Sequence, residues 1–178
     1  MSWPTRISQY QELAKELHEL MFGAASPYLP PNAGATDDQL KQLETQIDAE
    51  LDSDYKEFLR CANGWPSFTG SISLLGSELA TQTKELAFAN RNVGAISGAA
   101  LGPYKKLRRI LIPVGVSNAT LDVICMVPNS GKVNPETICF NNTEPDVYPS
   151  FSAFFDMVAS TLPTSIDHYS KRHRTRGA

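Results

Sequence analysis

Two short apolar runs in the second half of the chain constrain its fold more than any other feature of the sequence. Residues 110–116 and 121–127 are apolar at most positions, so neither run alternates as a strand with one solvated face would. This pattern is expected of central strands in a sheet. A turn of Pro, Asn, Ser and Gly follows at 128–131, and further strands are predicted at 137–140 and 71–75.

The first half of the chain instead follows the helical period. Apolar residues recur at helical spacing over 8–22, where Ser8 predicts the cap and Gly23 predicts the end of the helix. The clearest start signal is at Thr36, whose hydroxyl can cap a second helix and form a capping box with Gln39.

Three more helices follow from capping and breaking residues. Asp52 or Ser53 predicts the start of a third helix that ends at an Asn-Gly pair, and residues 78–90 predict a fourth. Ser150 predicts the cap of a closing helix, which Pro163 ends. Helices, then strands, then one helix is the order of an α+β fold, and alternating βαβ units do not occur.

A connector rich in Pro and Gly separates the first helix from the rest of the chain. We therefore expect an N-terminal helix and connector over 1–34, a domain over 35–163, and a basic, disordered tail over 164–178. The last eight residues hold four cations and no acid, and without them the formal net charge falls from −3 to −7. The body of the protein is acidic and its tail is basic.

The composition is that of an ordinary globular protein. Hydrophobic residues make up 42% and charged residues 20% of the chain, which argues against a collagen, a coiled-coil rod or a wholly disordered protein. The three cysteines, Cys61, Cys125 and Cys139, form no Cys-x-x-Cys pair, and we interpret them as buried, reduced thiols. With no secretory signal and no apolar stretch long enough to span a bilayer, the sequence predicts a cytoplasmic protein without membrane contact.

Residue patterns that support catalysis are mostly missing. The three histidines are scattered, and no HExxH, GxSxG or Cys/His cluster occurs. Gly94, Gly98 and Gly102 lack the Lys and Ser/Thr of a phosphate-binding loop, so we interpret this segment as a plain loop. The sequence therefore predicts no enzyme, no cofactor and no metal; a carboxyl in a deep pocket with a raised pKa would revive the enzyme hypothesis.

Acids are concentrated in the second and third predicted helices. Residues 36–57 contain eight acids and only two bases. One interpretation is that these acids are helix caps and solvated helix faces, and this is the favoured interpretation for any single residue. The alternative is an acidic surface that attracts a basic protein and speeds its association. The acids are Asp37, Asp38, Glu44, Asp48, Glu50, Asp52, Asp54 and Glu57.

A basic run with four cations at 105–109 precedes the first apolar strand. Nucleic-acid binding would require interleaved aromatic residues and a basic body, whereas only Tyr104 is adjacent and the body is acidic. We therefore interpret the run as a solvated strand edge whose charges oppose aggregation, and we do not expect nucleic acid as a partner.

One stretch combines three of these features in a fixed order. Residues 35–65 read ATDDQLKQLETQIDAELDSDYKEFLRCANGW, with a Thr-capped acidic helix, a helix start that contains Leu51 and Tyr55, and a closing Asn-Gly. This order resembles the opening of the SUKH superfamily, typified by the yeast cell-wall synthesis regulator and by many bacterial immunity proteins. The family usually has a Leu-Pro-x-x-Tyr start, and here Asp52, which can itself cap a helix, replaces the proline.

The resemblance continues downstream in the same order. Ile-Pro-Val-Gly at 112–115 resembles the Ile-Pro-hydrophobic-Gly strand of the family, and Asp122 falls in the strand after it. Ser-Phe and Phe-Phe at 150–155 resemble its closing Ser-Phe-x-x-Phe helix. The likeness covers about residues 35–162 and leaves the first helix and the basic tail outside.

The resemblance implies a non-enzymatic α+β module, with a mainly antiparallel sheet packed against helices and, here, an extra N-terminal helix. It also implies protein partners, since bacterial members are commonly immunity proteins that neutralise toxins, often nucleases. The leading hypothesis is an immunity protein that occludes a cognate toxin, with a basic nuclease as one candidate. The alternative is an intracellular regulatory or scaffold module with several partners.

The predicted partner-binding residues are four acids and one aromatic residue. Asp48, Asp52, Asp54 and Glu57 would present carboxylates where a basic nuclease expects phosphates. Trp65 follows the closing Asn-Gly; it is predicted as a partner anchor, although it could equally pack back onto the sheet.

Overall fold

The computed structural model describes residues 1–23, 26–77, 83–141 and 143–176. Helices, then strands, then a closing helix follow one another in the order that the sequence predicts. The α-helices are α1 (Trp3–Phe22), α2 (Asp37–Ile47), α3 (Ser53–Cys61), α4 (Lys84–Ala95) and α5 (Phe151–Arg176), and a 3-10 helix spans Gly102–Ile110. The strands are β1 (Trp65–Thr69), β2 (Ile72–Leu74), β3 (Ile112–Ser117), β4 (Val123–Met126), β5 (Pro128–Asn129), β6 (Lys132–Val133), β7 (Thr137–Phe140) and β8 (Asp146–Tyr148).

Six of the strands form one antiparallel sheet in the order β1-β2-β3-β4-β7-β8, and β5 and β6 form a separate hairpin. Every residue of β3 and of β4 is buried. This confirms that the two apolar runs are central strands. The predicted α+β class, with an antiparallel sheet, packed helices and an N-terminal helix, is also confirmed.

Helices cover both faces of the sheet. The Tyr148 ring of β8 contacts Phe154 of α5, and Tyr148 pairs with Thr137 of β7. Three residues further along β7, Phe140 contacts Tyr104 of the 3-10 helix. Tyr148 and Thr137 share a face because cross-strand partners do, whereas Phe140 lies on the other face because side chains alternate along a strand. α5 and the 3-10 helix therefore lie on opposite faces of the sheet. α4 packs on β3 and β4.

Local capping predicts three of the helix starts correctly. The Thr36 hydroxyl accepts from the Gln39 amide at 3.2 Å, and the Gln39 side chain accepts from the Thr36 amide at 2.9 Å. Asp52 caps α3, and the Ser150 hydroxyl accepts from the amide of Ala153 at 3.1 Å. Each cap satisfies amides that have no partner within the helix.

The start of α1 was predicted wrongly. The helix begins at Trp3, not at residue 8, and Ser8 is an exposed residue within it. Pro4 fits the first helical turn because its missing N–H is not needed there, and the buried face already begins at Trp3. Tyr10 stacks on Phe68 of β1 with ring centroids 4.5 Å apart, so α1 belongs to the same core as the sheet.

The end of α5 was also predicted wrongly. The helix continues past Pro163 to Arg176, where the sequence predicts a helix end and a disordered tail; residues 177–178 lie outside the described residues. Proline removes one backbone hydrogen bond. The packed face nevertheless continues beyond it, because Ile166 and Tyr169 are half-buried at helical spacing from buried Leu162.

The fourth helix is shifted along the chain from the predicted 78–90, and residues 78–82 lie outside the described residues. The Thr83 hydroxyl caps α4 by accepting from the amide of Leu86 at 3.2 Å. Gly94, which we expected in a loop, lies within α4. The helix therefore begins after the Thr83 cap, later than predicted, and continues to Ala95.

The connector before α2 lies directly against the end of α3. The amide of Ala35 donates to the carbonyl of Leu59 at 2.8 Å. A Cβ atom on Gly34 would lie 1.9 Å from the carbonyl oxygen of Arg60, so only glycine fits there. This close approach fixes the start of α2 beside the end of α3, where Arg60 pairs with both Asp37 of α2 and Glu57 of α3.

Candidate protein-binding surface

The eight acids of α2, α3 and their linker divide into two groups by exposure. Glu44, Asp52 and Asp54 are half-buried, whereas the other five are exposed. We call these five exposed residues the acidic surface. They are Asp37, Asp38, Asp48, Glu50 and Glu57.

Glu44 is held by two donors from α3 and its linker. Its carboxylate lies 2.8 Å from the Lys56 ammonium and accepts from the Leu51 amide at 3.0 Å. Burial alone would raise the pKa of Glu44, but the hydrogen bonds from Lys56 and Leu51 outweigh it and lower the pKa. Glu44 therefore joins α2 to α3 as a charged group.

Asp52 and Asp54 are both used by the fold. Asp52 accepts from the amides of Asp54 and Tyr55, each at 3.1 Å, and so caps α3 as predicted. Asp54 accepts from the indole N–H of Trp3 at 3.1 Å and from the amide of Ser152 at 2.8 Å. Since Trp3 begins α1 and Ser152 lies in the first turn of α5, one carboxylate joins three helices.

Three acids of the acidic surface are partly neutralised by neighbouring cations. The Arg60 guanidinium pairs with Asp37 at 2.9 Å and also with Glu57. The hydrogen bond to Asp37 and that to Glu57 raise the pKa of Arg60. Glu50 lies 3.4 Å from the Lys132 ammonium. These exposed pairs contribute little to stability, so the carboxylates stay accessible to a competing cation.

Asp38 and Asp48 have no ion-pair partner among the residues that the structure describes. Asp48 ends α2 in the left-handed conformation, with φ 51°, which Asp tolerates better than most residues. Asp38 lies at a shallow, open groove along the exposed face of α2, whose other lining residues are Lys41, Gln42, Thr45 and Gln46. An open groove of this kind suits a protein surface better than a small ligand.

The β5–β6 hairpin supports the linker between α2 and α3, a contact that the sequence did not reveal. The amide of Glu50 donates to the carbonyl of Gly131, and the amide of Val133 donates to the carbonyl of Glu50, both at 2.8 Å. The hairpin turn has positive φ at both Ser130 and Gly131, as a two-residue turn of type I′ requires. The predicted turn at 128–131 thus holds Glu50 in place.

The structure corrects the prediction that Trp65 anchors a partner. Its side chain is 0% exposed, and its ring contacts Tyr10, Phe68 and Phe155. A large aromatic side chain is stabilised strongly by this burial, so it packs into the core. The alternative that the sequence left open, packing back onto the sheet, is the one observed.

The described residues contain no group of three or more His, Cys, Asp or Glu side chains that could hold a metal ion. Within the same part of the chain, no helix combines the length and the apolar character needed to cross a membrane. Cys125 is buried, Cys61 and Cys139 are half-buried, and all three are free thiols. Burial raises the pKa of Cys139 to about 12, so this thiol stays protonated at neutral pH.

Comparison with known proteins identifies the family. The chain matches no curated protein. A family model described as the SMI1/KNR4 family (SUKH-1) matches residues 34–157, which begin at the tightly packed Gly34 and end within α5. α1 and all but the first two turns of α5 lie outside the match. Because the match covers most of the chain and agrees with the order of motifs and the α+β fold, the chain belongs to the SMI1/KNR4 family (SUKH-1).

Proposed function

We propose that this protein is a cytoplasmic, non-enzymatic immunity protein that neutralises a cognate bacterial toxin by occluding it. Membership of the family supports a protein-binding module of the toxin-immunity or SMI1/KNR4 type in general. The observation that carries the finer proposal is the acidic surface, where five carboxylates are exposed and two have no cation partner among the described residues.

The charge around the acidic surface remains negative after its ion pairs are counted. Eight carboxylates of α2, α3 and the linker face four cations, which are Lys41, Lys56, Arg60 and Lys132. Such an excess attracts a basic protein, and a nuclease that binds phosphate backbones is basic where it binds them. Exposed charges mainly raise the association rate, so we expect steering that weakens as salt is added.

The predicted binding residues take different roles in this proposal. Asp48 and Glu57 are exposed, and we assign them direct contact with the toxin. Asp52 and Asp54 act as positioning residues, because their carboxylates already hold α3 and the helices around it. A stable interface buries about 1,600 Å² in total, so the contact extends beyond the acidic surface itself.

The test compares two charge-reversed variants of equal charge. Asp48→Lys/Glu57→Lys changes the acidic surface, and Glu12→Lys/Glu16→Lys changes two exposed acids of α1. Both are used to capture partners from host lysate, and to rescue growth on co-expression with candidate nuclease toxins. We expect one basic toxin that the α1 variant binds and neutralises, and an association rate that falls about tenfold or more in the surface variant.

Two results would contradict the proposal in different ways. If a toxin is neutralised equally by both variants, the immunity function holds and the acidic surface is the wrong site. If several unrelated proteins are captured and no toxin is neutralised, the function is that of a regulatory or scaffold module. This second candidate is favoured by the presence of another charged surface of opposite sign on the 3-10 helix.

A further inference from the structure

The basic run forms a 3-10 helix, not the strand edge that the sequence predicts. Three residues per turn place every third side chain on one line, so the helix has three stripes. Tyr104 and Leu107 share one stripe and pack against the core. The other stripes carry the four cations, with Lys105 and Arg108 on one and Lys106 and Arg109 on the other.

The stripe of Lys105 and Arg108 is used to attach the 3-10 helix to α4. The Arg108 guanidinium donates to the carbonyls of Gly94, at 2.8 Å, and Ile96. These carbonyls lie at the end of α4, where they lack helical partners. The Lys105 chain lies over Gly98, with its Cε 3.0 Å from where a glycine Cβ would be. Both side chains are therefore explained by the fold.

The fold does not account for the stripe of Lys106 and Arg109, which we call the basic stripe. Both residues are exposed, and neither forms an ion pair with any described residue. They are one 3-10 turn apart, about 6 Å along the axis. Alternate residues of an extended chain are about 6.6 Å apart, so two carboxylates at such positions match the two cations.

A cavity lies beside the first turn of the same helix. Its volume is about 530 Å³, and it lies between the turn before the helix, the helix start, and the β7–β8 region. Ala99, Pro103, Pro145 and Val147 give it an apolar lining, and Val147, on the outermost strand of the sheet, is 46% exposed. We call it the edge cavity; one apolar side chain of a partner would fill part of it.

We propose that the edge cavity and the basic stripe together bind an extended, acidic segment of a protein. One apolar side chain of the segment enters the cavity, and carboxylates at alternate positions beyond it reach Lys106 and Arg109. Tyr104 lines the cavity and is two residues from Lys106, about 4 Å along the helix axis, so one short segment reaches both features. Glu144 also lines the cavity, and its charge repels carboxylates of the bound segment there. The acidic part of the segment must therefore run from the cavity toward Lys106 and Arg109.

A protein segment fits this surface better than nucleic acid. Single-stranded nucleic acid binds through aromatic rings exposed for stacking, whereas Tyr104 is half-buried with its ring against Phe140. The net charge of −3 also repels a long polyanion, while a short acidic segment needs only the local cations. This inference does not depend on the acidic surface, so it and the proposed function can fail separately.

The test uses a fluorescent peptide of about twelve residues with one Phe followed by Glu at alternate positions. Its anisotropy is measured with the full chain at about 25 mM salt. The comparison ligands are the same peptide with Gln for Glu, the same peptide with Ala for Phe, and an oligothymidylate of equal length. The variants are Lys106→Glu/Arg109→Glu and, as a control of equal charge, Lys15→Glu/Lys41→Glu, two exposed lysines elsewhere.

We expect the Glu peptide to bind, and its affinity to fall about tenfold in the basic-stripe variant and less than about twofold in the control. Gln for Glu and Ala for Phe should each weaken binding, and Glu144→Gln should tighten it about twofold. Lys106→Gln/Arg109→Gln repeats the test should the Glu variant lose its circular dichroism spectrum. The proposal is overturned by no saturation below about 1 mM peptide, by equal binding to both variants, or by tighter binding of the oligothymidylate.

Discussion

The acidic surface and the basic stripe differ in how many of their charges the protein itself neutralises. Six of the eight carboxylates in and around the acidic surface have a cation or amide partner, and Asp38 and Asp48 have none among the described residues. On the 3-10 helix, neither cation of the basic stripe has a carboxylate partner within that same part of the chain. The number of like charges in a cluster therefore does not indicate how many of them are available to bind a partner.

The two kinds of charge also differ in how much they contribute to the free energy of unfolding. A charged group that is hydrogen-bonded within the fold contributes to stability and leaves donors without acceptors when it is removed. An exposed charge without a partner contributes almost nothing to the free energy of unfolding. Stability measurements can therefore separate the carboxylates that hold the fold from the charges that remain available for binding.

The largest effect is expected at Asp54. Asp54→Ala removes the acceptor of the Trp3 indole and of the Ser152 amide, and should lower the free energy of unfolding by about 2–3 kcal/mol. Asp48→Asn removes an exposed carboxylate but keeps a side chain that tolerates the left-handed backbone there, and should change it by less than about 0.5 kcal/mol. Urea unfolding of both variants measures this contrast. Equal losses would show that the two carboxylates do not differ as the structure indicates.

A smaller, pH-dependent effect is expected at Glu44. The fold lowers the pKa of Glu44, so its charged form stabilises the native state above the ordinary glutamate pKa of about 4.3. That contribution is lost as the pH falls through the lower pKa of the folded state. Glu44→Gln should therefore cost about 1 kcal/mol at neutral pH, and the difference from the unchanged protein should shrink below about pH 4.

Unfolding curves between neutral pH and about pH 3 measure the Glu44 effect. Glu50→Gln is the control, because Glu50 is exposed and its pair with Lys132 is longer, at 3.4 Å. A destabilisation by Glu44→Gln that stays constant with pH would mean that packing, not the charge, is what Glu44 supplies.

The smallest effect is expected on the basic stripe. Lys106→Ala and Arg109→Ala should each change the free energy of unfolding by less than about 0.5 kcal/mol, since neither side chain has a carboxylate partner among the described residues. Thermal unfolding at low salt is the measurement. A loss well above this range would assign these cations to the fold and would weaken the case for a partner there.

Features set by neighbouring residues could be predicted from the sequence. The capping box at Thr36, the caps at Asp52 and Ser150, and the central strands each depend on a short stretch of chain, and each is confirmed. The order of these local features was also sufficient to indicate the family. Caps and apolar periodicity act over a few residues, so one sequence reveals them.

Features set by distant contacts could not be predicted in the same way. Asp54 has the signal of an ordinary first-turn acid, and only the tertiary structure brings Trp3 and Ser152 to its two oxygens. The sequence left the burial of Trp65 open, since a loop aromatic is equally suited to a core and to an interface. Pro163 was read as a helix end because the packed face beyond it is a property of the whole fold.

The burial of both tryptophans decides what the protein's own fluorescence can report. Trp3 is 8% and Trp65 is 0% exposed, and the chain has no others. Trp3 packs against Phe58 and Phe155, and Trp65 packs against Tyr10 and Phe68, so their emission should respond to loss of the core and change little when a partner docks on the surface. A titration followed at the emission of a tryptophan-containing partner would then show binding alone, against a constant background from this chain.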